Sequence, residues 1–426
     1  MALKNKKVIK MILFTALVLL IWRLAFHIHI PLLNRKLLSP GVSMFGFLDV
    51  FSGGALSNYS IVALGVSPYI TASIVIQLLQ MDIIPTLKEW AEEGETGKKK
   101  LSQVTRYLAL GLAFVQALTI TVGLAAFYED SSSMFQVGVD VNAFTFVYLA
   151  LILTAGTAFI LWLAEKITLK GIGNGTSMFI VAGIVASFPS MINDLINLYI
   201  TKADVAFKDI VIFFAILLIM ILIIVGVVFM EAAQRKIPIQ YSNRPAAAAF
   251  RGKGDSNIPI KLNSASVIPV IFASTLMSLP TTVVNFLDQG TGTYWINQVF
   301  NYTQPIGFVL YIVLIFVFSF FYSFLQMNPE KMAENLQKQN AYIPGVRPGA
   351  ETASYISRVL FKITMVGAIY LSIVASIPIL MQVVFELPAS VQVGGTSLII
   401  VVGVAIETAK QLKTQSQDKQ YRGFIE

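Results

Sequence analysis

The sequence predicts an all-α polytopic membrane protein whose ten transmembrane helices divide into two five-helix halves, 1–200 and 201–426, of inverted orientation. Three observations predict it. Of 426 residues, 56% are hydrophobic and 13% charged, too apolar for a soluble two-domain chain, and the apolar residues gather in runs of about 20, the length that crosses a hydrocarbon core. The formal charge of +8 is not one basic patch of the kind nucleic acid would require. Most of the 31 Lys and Arg residues fall in alternate connections between runs, which places those connections and both termini on the cytoplasmic side. Finally, the crossings part at the connection 199–208 into five and five. An odd number per half turns the second half over relative to the first and puts a functional path at the interface between them.

The first run, Ile9 to Ile30, is long enough to span and has no small-x-small cleavage site after it, so it stays as a transmembrane helix. The next stretch, Phe51 to Ile84, contradicts itself. From Phe51 to Gln80 it would measure roughly 45 Å as one helix, against a core of about 30 Å. Gly65 and Pro68 stand in its middle, and a proline disfavours the α region for the residue before it while removing a backbone donor. The segment is expected to break there. Broken backbone at membrane depth survives only where protein covers it or where it lines an aqueous cavity, so the break points to a channel.

Beyond the break, spans are expected near 61–84, 106–127, 143–164, 176–198, 209–230, 266–287, 305–326, 358–381 and 394–408. The run Gly171-Ile-Gly-Asn-Gly175 lies between two helices rather than after a strand, which makes it a tight turn with Thr176 or Ser177 as the next cap, not a dinucleotide site. Two inner connections are large, charged and rich in proline, about 231–262 and 327–357. Tight hairpins would not need them, and their aromatic and arginine residues, with the stiff tip Pro344 to Gly349, suit the docking of another protein.

Catalytic chemistry is missing. The chain has no cysteine and only two histidines, His27 and His29, whose i,i+2 spacing does not share a helical face. No H-E-x-x-H or G-x-S-x-G occurs, and Gly94 to Lys99 has too short a glycine spacing for a phosphate loop. Ionisable residues keep to the ends of spans: Arg23, Asp82, Glu165 and Glu231 are expected to snorkel or meet headgroups. An intramembrane enzyme is disfavoured by the missing catalytic constellations, and a secondary solute transporter by the lack of midplane charges and by the two large inner connections. Gln77, Gln80, Asn263, Ser266, Ser274, Thr275, Ser278 and Gln326 read either as small polar contacts between helices or as a wet seam that opens.

Short motifs carry a resemblance. Phe51-Ser-Gly-Gly-Ala-Leu-Ser57, Gly65-Val-Ser-Pro-Tyr-Ile-Thr-Ala-Ser-Ile74, Gly171 to Gly175, Gln234-Arg-Lys-Ile-Pro238 with Tyr241, Ile268-Pro-Val-Ile-Phe-Ala273, Asn328-Pro329, Pro344 to Gly349 and Gly394-Gly-Thr-Ser-Leu398 occur in order across nearly the whole chain. Together they resemble the SecY family of protein-translocation channels, its bacterial members in particular. The resemblance implies two halves closing like a clam shell around an hourglass pore, which passes unfolded preproteins across the bacterial cytoplasmic membrane and releases hydrophobic segments sideways.

Matching motif to motif, the pore ring would be Ile70, Ile74, Ile180, Ile271 and Ile400. The plug would be Phe51, Ser52, Gly53, Gly54, Ala55, Leu56, Ser57, Asn58 and Tyr59, and the lateral gate would lie around Val75, Gln77, Leu279 and Val283. Arg235, Lys236, Arg244 and Arg347 would meet the motor or the ribosome. The partners implied are the SecE and SecG subunits, the SecA ATPase, the ribosome, preprotein signal sequences and membrane lipids; no cofactor is implied. One departure stands out: 241–261 lacks the basic run and the Gln-Ser-Thr-His segment expected of typical bacterial members. That keeps an accessory-type paralogue with a restricted substrate set as the alternative.

Overall fold

The computed structural model describes residues 6–33, 52–56, 58–80, 83–126, 135, 142–201, 207–241, 256–285, 291–385, 387 and 389–417. Helix α1 (Lys6–Phe26) shows why the apolar runs become helices with two faces. Val8, Thr15, Val18, Trp22 and Phe26 recur at three- to seven-residue spacing and are buried, while Leu13, Leu17, Leu20 and Leu24 are left exposed on the side where lipid would sit. Arg23 lies over the Phe26 ring, 4.2 Å from its centroid.

The expected break is present. Gly65 adopts φ 56°, and α2 (Ser67–Leu79) begins only there, with its proline in the first turn where a missing N–H costs nothing. At 13 residues α2 is about 20 Å long, too short to cross alone. The remaining depth is filled by buried turns over 58–66, and protein satisfies their backbone: Ile30 N donates to Tyr59 O at 2.9 Å, Ile61 N to Ile28 O at 3.0 Å and Ser60 Oγ to Ala25 O at 3.2 Å. Non-helical chain at this level is therefore covered, as lipid demands.

The helices α3 (Pro85–Glu92), α4 (Glu95–Ala126), α5 (Ala143–Lys170), α6 (Gly175–Tyr199) and α7 (Phe207–Ala232) follow. The glycine turn before α6 is as tight as expected, with Gly173 at φ 77°, but its cap is Asn174, whose Oδ1 accepts from Thr176 N at 3.2 Å. Thr176 already lies inside the helix, which starts at Gly175, where a Cβ would come within 1.8 Å of Ala164 O, so α6 presses directly on α5. After the inner connection come α8 (Ile268–Asn285), α9 (Thr291–Phe300), α10 (Pro305–Gln326), α11 (Pro329–Lys338), α12 (Ala350–Phe385) and α13 (Ala389–Gln417).

Among the described residues, seven helices are long and apolar enough to cross a membrane, namely α1, α4, α5, α6, α7, α10 and α12, the last two running on into inner connections. The shorter apolar α2 and α8, and α13 with its buried Leu398 to Ile400, supply the other expected crossings.

Two expectations change. The large inner connections are not independent loops: β1 (Gln234–Tyr241) pairs antiparallel with β2 (Ser256–Lys261) and also with β3 (Ala341–Tyr342) from the other connection. Ile237 and Ile239 alternate with exposed Lys236, Pro238 and Gln240, and the buried pair packs with Ile260, Ile343, Ile356 and Leu360.

Glu165 and Glu231 do not snorkel either, and Asp82 lies outside the described residues. Glu165 takes both guanidinium nitrogens of Arg106, at 2.9 and 3.1 Å, which ties α4 to α5. Glu231 is buried at 4% exposure, and its Oε1 accepts from Asn263 Nδ2 and Ser266 Oγ, each at 3.1 Å. Lys410 Nζ of α13 donates to the Glu231 carbonyl at 3.2 Å, a cation placed on the last turn of α7 where the helix dipole favours it.

Candidate functional site

The first five membrane helices meet the last five chiefly through α2 against α8, α6 against α13, the successive pair α6 and α7, and a lighter touch of α1 on α13. The ring candidates lie on four of these interface helices: Ile70 and Ile74 on α2, Ile180 on α6, Ile271 on α8 and Ile400 on α13. All five are buried, between 2% and 9% exposed, and belong to one continuous apolar cluster. Phe179, Ile184, Val267, Val270 and Val404 belong to the same cluster.

Against this cluster lies the plug candidate. Gly53 and Gly54 take φ 71° and 82°, conformations in which a side chain would be strained. A Cβ on Gly53 would stand 3.0 Å from the Cα of Gly183 and 3.2 Å from Trp22, so the segment sits flat on α6 three residues beyond Ile180. Ser52, Ala55, Leu56 and Tyr59 are buried. The turn closes on itself, with Asn58 Nδ2 donating to Gly54 O at 2.7 Å and Leu56 N to Ser52 Oγ at 3.3 Å. Phe51 and Ser57 lie outside the described residues.

The gate candidates divide. Val75 and Gln77 are half-buried on α2. Gln77 Nε2 donates to Ser73 Oγ at 3.2 Å, while its Oε1 is buried without a partner. Leu279 and Val283 fall on α8, the helix that touches α2. Of the polar residues read as a seam, Ser274 meets Tyr311 Oη of α10 at 3.3 Å, Ser278 bonds back to Thr275 O at 3.0 Å, and Asn263 and Ser266 belong to the Glu231 brace. Gln326 is exposed.

Sequence reasoning missed Tyr311 and the Ser323 to Thr364 bond of 2.7 Å that joins α10 to α12. Their signal, a hydroxyl inside an apolar run, is faint until the partner helix is known. Across the inner mouth of the same seam, Lys331 of α11 lies 3.6 Å from Glu92 of α3. Arg235 and Lys236 are exposed on β1, and Arg347 is almost wholly exposed at the tip between Gly345 (φ 81°) and Gly349 (φ 99°), 4.0 Å from Glu351. Arg244 lies outside the described residues. No cluster of three or more His, Cys, Asp or Glu that could hold a metal is found among the described residues.

The structure thus buries apolar residues of α2, α6, α8 and α13 where the two helix groups meet, with the Gly53 turn against α6. Comparison with known proteins gives the family. The SecY family model matches residues 60–409. Protein translocase subunit SecY of Halalkalibacterium halodurans is 46% identical over 418 residues, covering 97% of this chain and 96% of that protein. The subunit of the same name from Bacillus subtilis is 44% identical over 417 residues, with 97% and 96% covered.

A solved protein-conducting channel superposes with a TM-score of 0.65 at 19% identity, over 96% of this chain and 92% of that one. A SecY structure concerned with a plug domain that stabilises the closed state and maintains a membrane seal superposes at 0.62, also at 19% identity and the same coverage. These two share the fold. With a family model spanning most of the chain and relatives above 40% identity over nearly all of it, the chain belongs to the SecY family.

Proposed function

We propose that this chain is the central channel subunit of a Sec protein translocase in a bacterial cytoplasmic membrane. It passes unfolded preproteins across and releases hydrophobic segments sideways into lipid. The observation that supports the reading is that Ile70, Ile74, Ile180, Ile271 and Ile400 are all buried on helices that meet between the first five and the last five crossings, with Gly53 set against Gly183 of α6.

The mechanism follows from that chemistry. A narrow aliphatic ring resists water and ions when empty, because hydration cannot be replaced there. Branched apolar side chains also yield to an extended chain of any sequence, since they offer no directional bond to hold it. The plug is held by the close approach of Gly53 to Gly183, by buried Ala55, Leu56 and Tyr59, and by hydrogen bonds that include Ile30 N to Tyr59 O, contacts that carry no charge.

The α2 to α8 seam lets a signal sequence exchange the protein interior for lipid. Gln77, with one buried oxygen unpaired, makes the closed seam weaker there than an all-apolar contact would be. The chain is a conduit and not an enzyme, so the work comes from a partner: the SecA ATPase, or the ribosome during synthesis. Either would dock on the inner surface that carries Arg235, Lys236 and Arg347, with Arg244 contributing from the connection that follows β1, SecE and SecG completing the complex and both termini cytoplasmic. The five-and-five division at 199–208 is the hinge of this scheme. The restricted-substrate alternative gains nothing from the comparisons, because the two relatives above bear the unqualified subunit name.

Reconstitution tests the proposal. Vesicles holding this chain with SecE should import an unfolded preprotein when SecA and ATP are supplied. Uptake of a small solute without that activity would favour the transporter reading instead.

A further inference from the structure

We infer that α9, the short helix between the outer ends of α8 and α10, is an interfacial anchor. Its Tyr294, Trp295 and Ile296 insert into the headgroup region of the outer lipid leaflet and hold the two helices of one gate wall together at that level. The inference goes beyond the transport reading and needs only that α10 crosses the membrane.

The stretch Thr291 to Gln304 contains no charged residue, which is unusual for a helix meant to face water. Tyr294 and Trp295 are about two-thirds exposed and Ile296 about one-third. By contrast Val299 and Phe300 are partly covered, and Phe300 packs on the main apolar cluster. The C-terminal turn of the helix is thus fixed to protein, and its N-terminal turn presents two aromatics that carry both an apolar ring and a polar handle. That combination favours the boundary between acyl chains and headgroups. A lipid-facing stripe follows: Ile306, Val309, Val313 and Val317 of α10 are each about half exposed and lead away from α9 into the membrane.

The joint between α9 and α10 is rigid. Asn301 Oδ1 accepts from Thr303 N at 3.0 Å and Thr303 Oγ1 at 2.7 Å, and Gln304 N donates to Asn301 O at 3.0 Å. A Cβ on Gly307 would meet Asn301 O at 2.0 Å, so α10 begins in direct contact with the turn. Because α9 also packs on α8, it brackets both helices. When the seam opens, α8 and α10 then keep their common depth at the outer surface, and α2 is the element that separates from them.

The chain has no cysteine, so single labels can be placed without further changes. Tyr294→Cys and Ile296→Cys, each carrying an environment-sensitive fluorophore, are prepared in the full complex with SecE and SecG in vesicles. Val317→Cys serves as a deep reference and Lys338→Cys as an aqueous one. Labels on α9 should show blue-shifted emission, lose more intensity to lipids with a nitroxide near the headgroup than to lipids with one deep in the acyl chain, and lose little to aqueous iodide. Strong iodide quenching with none from either lipid would overturn the anchor in favour of a water-facing helix. Protection from all three quenchers would overturn it in favour of cover by another subunit. Preprotein import by the same vesicles reports separately on the channel reading, since import does not depend on where the α9 label resides.

Discussion

Replacing Glu231 by alanine should destabilise the inner end of the second helix group more than any surface change. The carboxylate accepts from Asn263 Nδ2 and Ser266 Oγ, both at 3.1 Å, in a site that is 4% exposed. It thereby holds the turn that leads into α8, in which Ser266 sits at φ 55°, a left-handed conformation that a serine adopts only under constraint. Removing the acceptor leaves the buried Asn263 donor and the half-buried Ser266 hydroxyl, each costing up to about 1–3 kcal/mol when unpaired. Asn263 keeps a second bond, to Ser266 O at 3.0 Å, so its share falls at the low end. The sum is roughly 2–4 kcal/mol, below the full cost of breaking a buried ion pair because Lys410 bonds the backbone carbonyl and keeps its partner.

Thermal unfolding of the purified complex should register this as a clear fall in Tm. Glu231→Gln, which retains one carbonyl acceptor, should lose less than half as much. The double variant Glu231→Ala, Asn263→Ala should cost less than the two single changes added together, since a shared bond is counted twice in that addition. Unchanged melting in Glu231→Ala, or strict additivity with Asn263→Ala, would refute the brace.

Three further outcomes are expected. Deleting Gly53 to Asn58 removes the segment seated on Gly183 and should raise the resting ion conductance of vesicles; a conductance equal to that of the intact chain would count against a plug. Arg347→Glu should impair SecA-driven import while membrane insertion of the chain itself is unaffected, and full ATP-driven import by that variant would remove Arg347 from the docking surface. Gly156→Ala places a Cβ 2.1 Å from Ile61 O, so α5 must shift away from the turns before α2, at about 1–3 kcal/mol. Protease protection of the 58–66 turns would report that shift, and wild-type protection would show that the contact relaxes freely.

The membrane helices were legible because a run of about 20 apolar residues has few other fates. The break at Gly65 and Pro68 was legible for a local reason, since proline and left-handed glycine act on their own backbone. What escaped was non-local. Glu231 looked like a span-end carboxylate because Asn263, Ser266 and Lys410 are far away in sequence, and Glu165 hid its pairing with Arg106 for the same reason. The sheet escaped because Pro238 and Pro259 lie opposite neighbouring residues in the paired strands, and proline argues against a strand until the register shows which donors are spare. Asn174 was passed over as a cap because the close approach of Gly175 to Ala164 appears only once α5 and α6 are packed. The ring, plug and gate residues owe their identification to motif resemblance, since an apolar stripe on a transmembrane helix is ordinary.

The shared sheet makes a lever of the two inner connections. The exposed tip at Arg347 is a few residues from β3, β3 is bonded to the far end of β1, and β1 is continuous with α7 and bonded along its length to β2. From β2 the chain turns through Asn263 and Ser266 straight into α8 and Ile271. If a partner docks at the tip and Ile271 lines the pore, as proposed, that partner would not need to reach the pore to act on it. A tilt of this small platform would be delivered by backbone hydrogen bonds to the root of α8, where the Glu231 brace stiffens the turn.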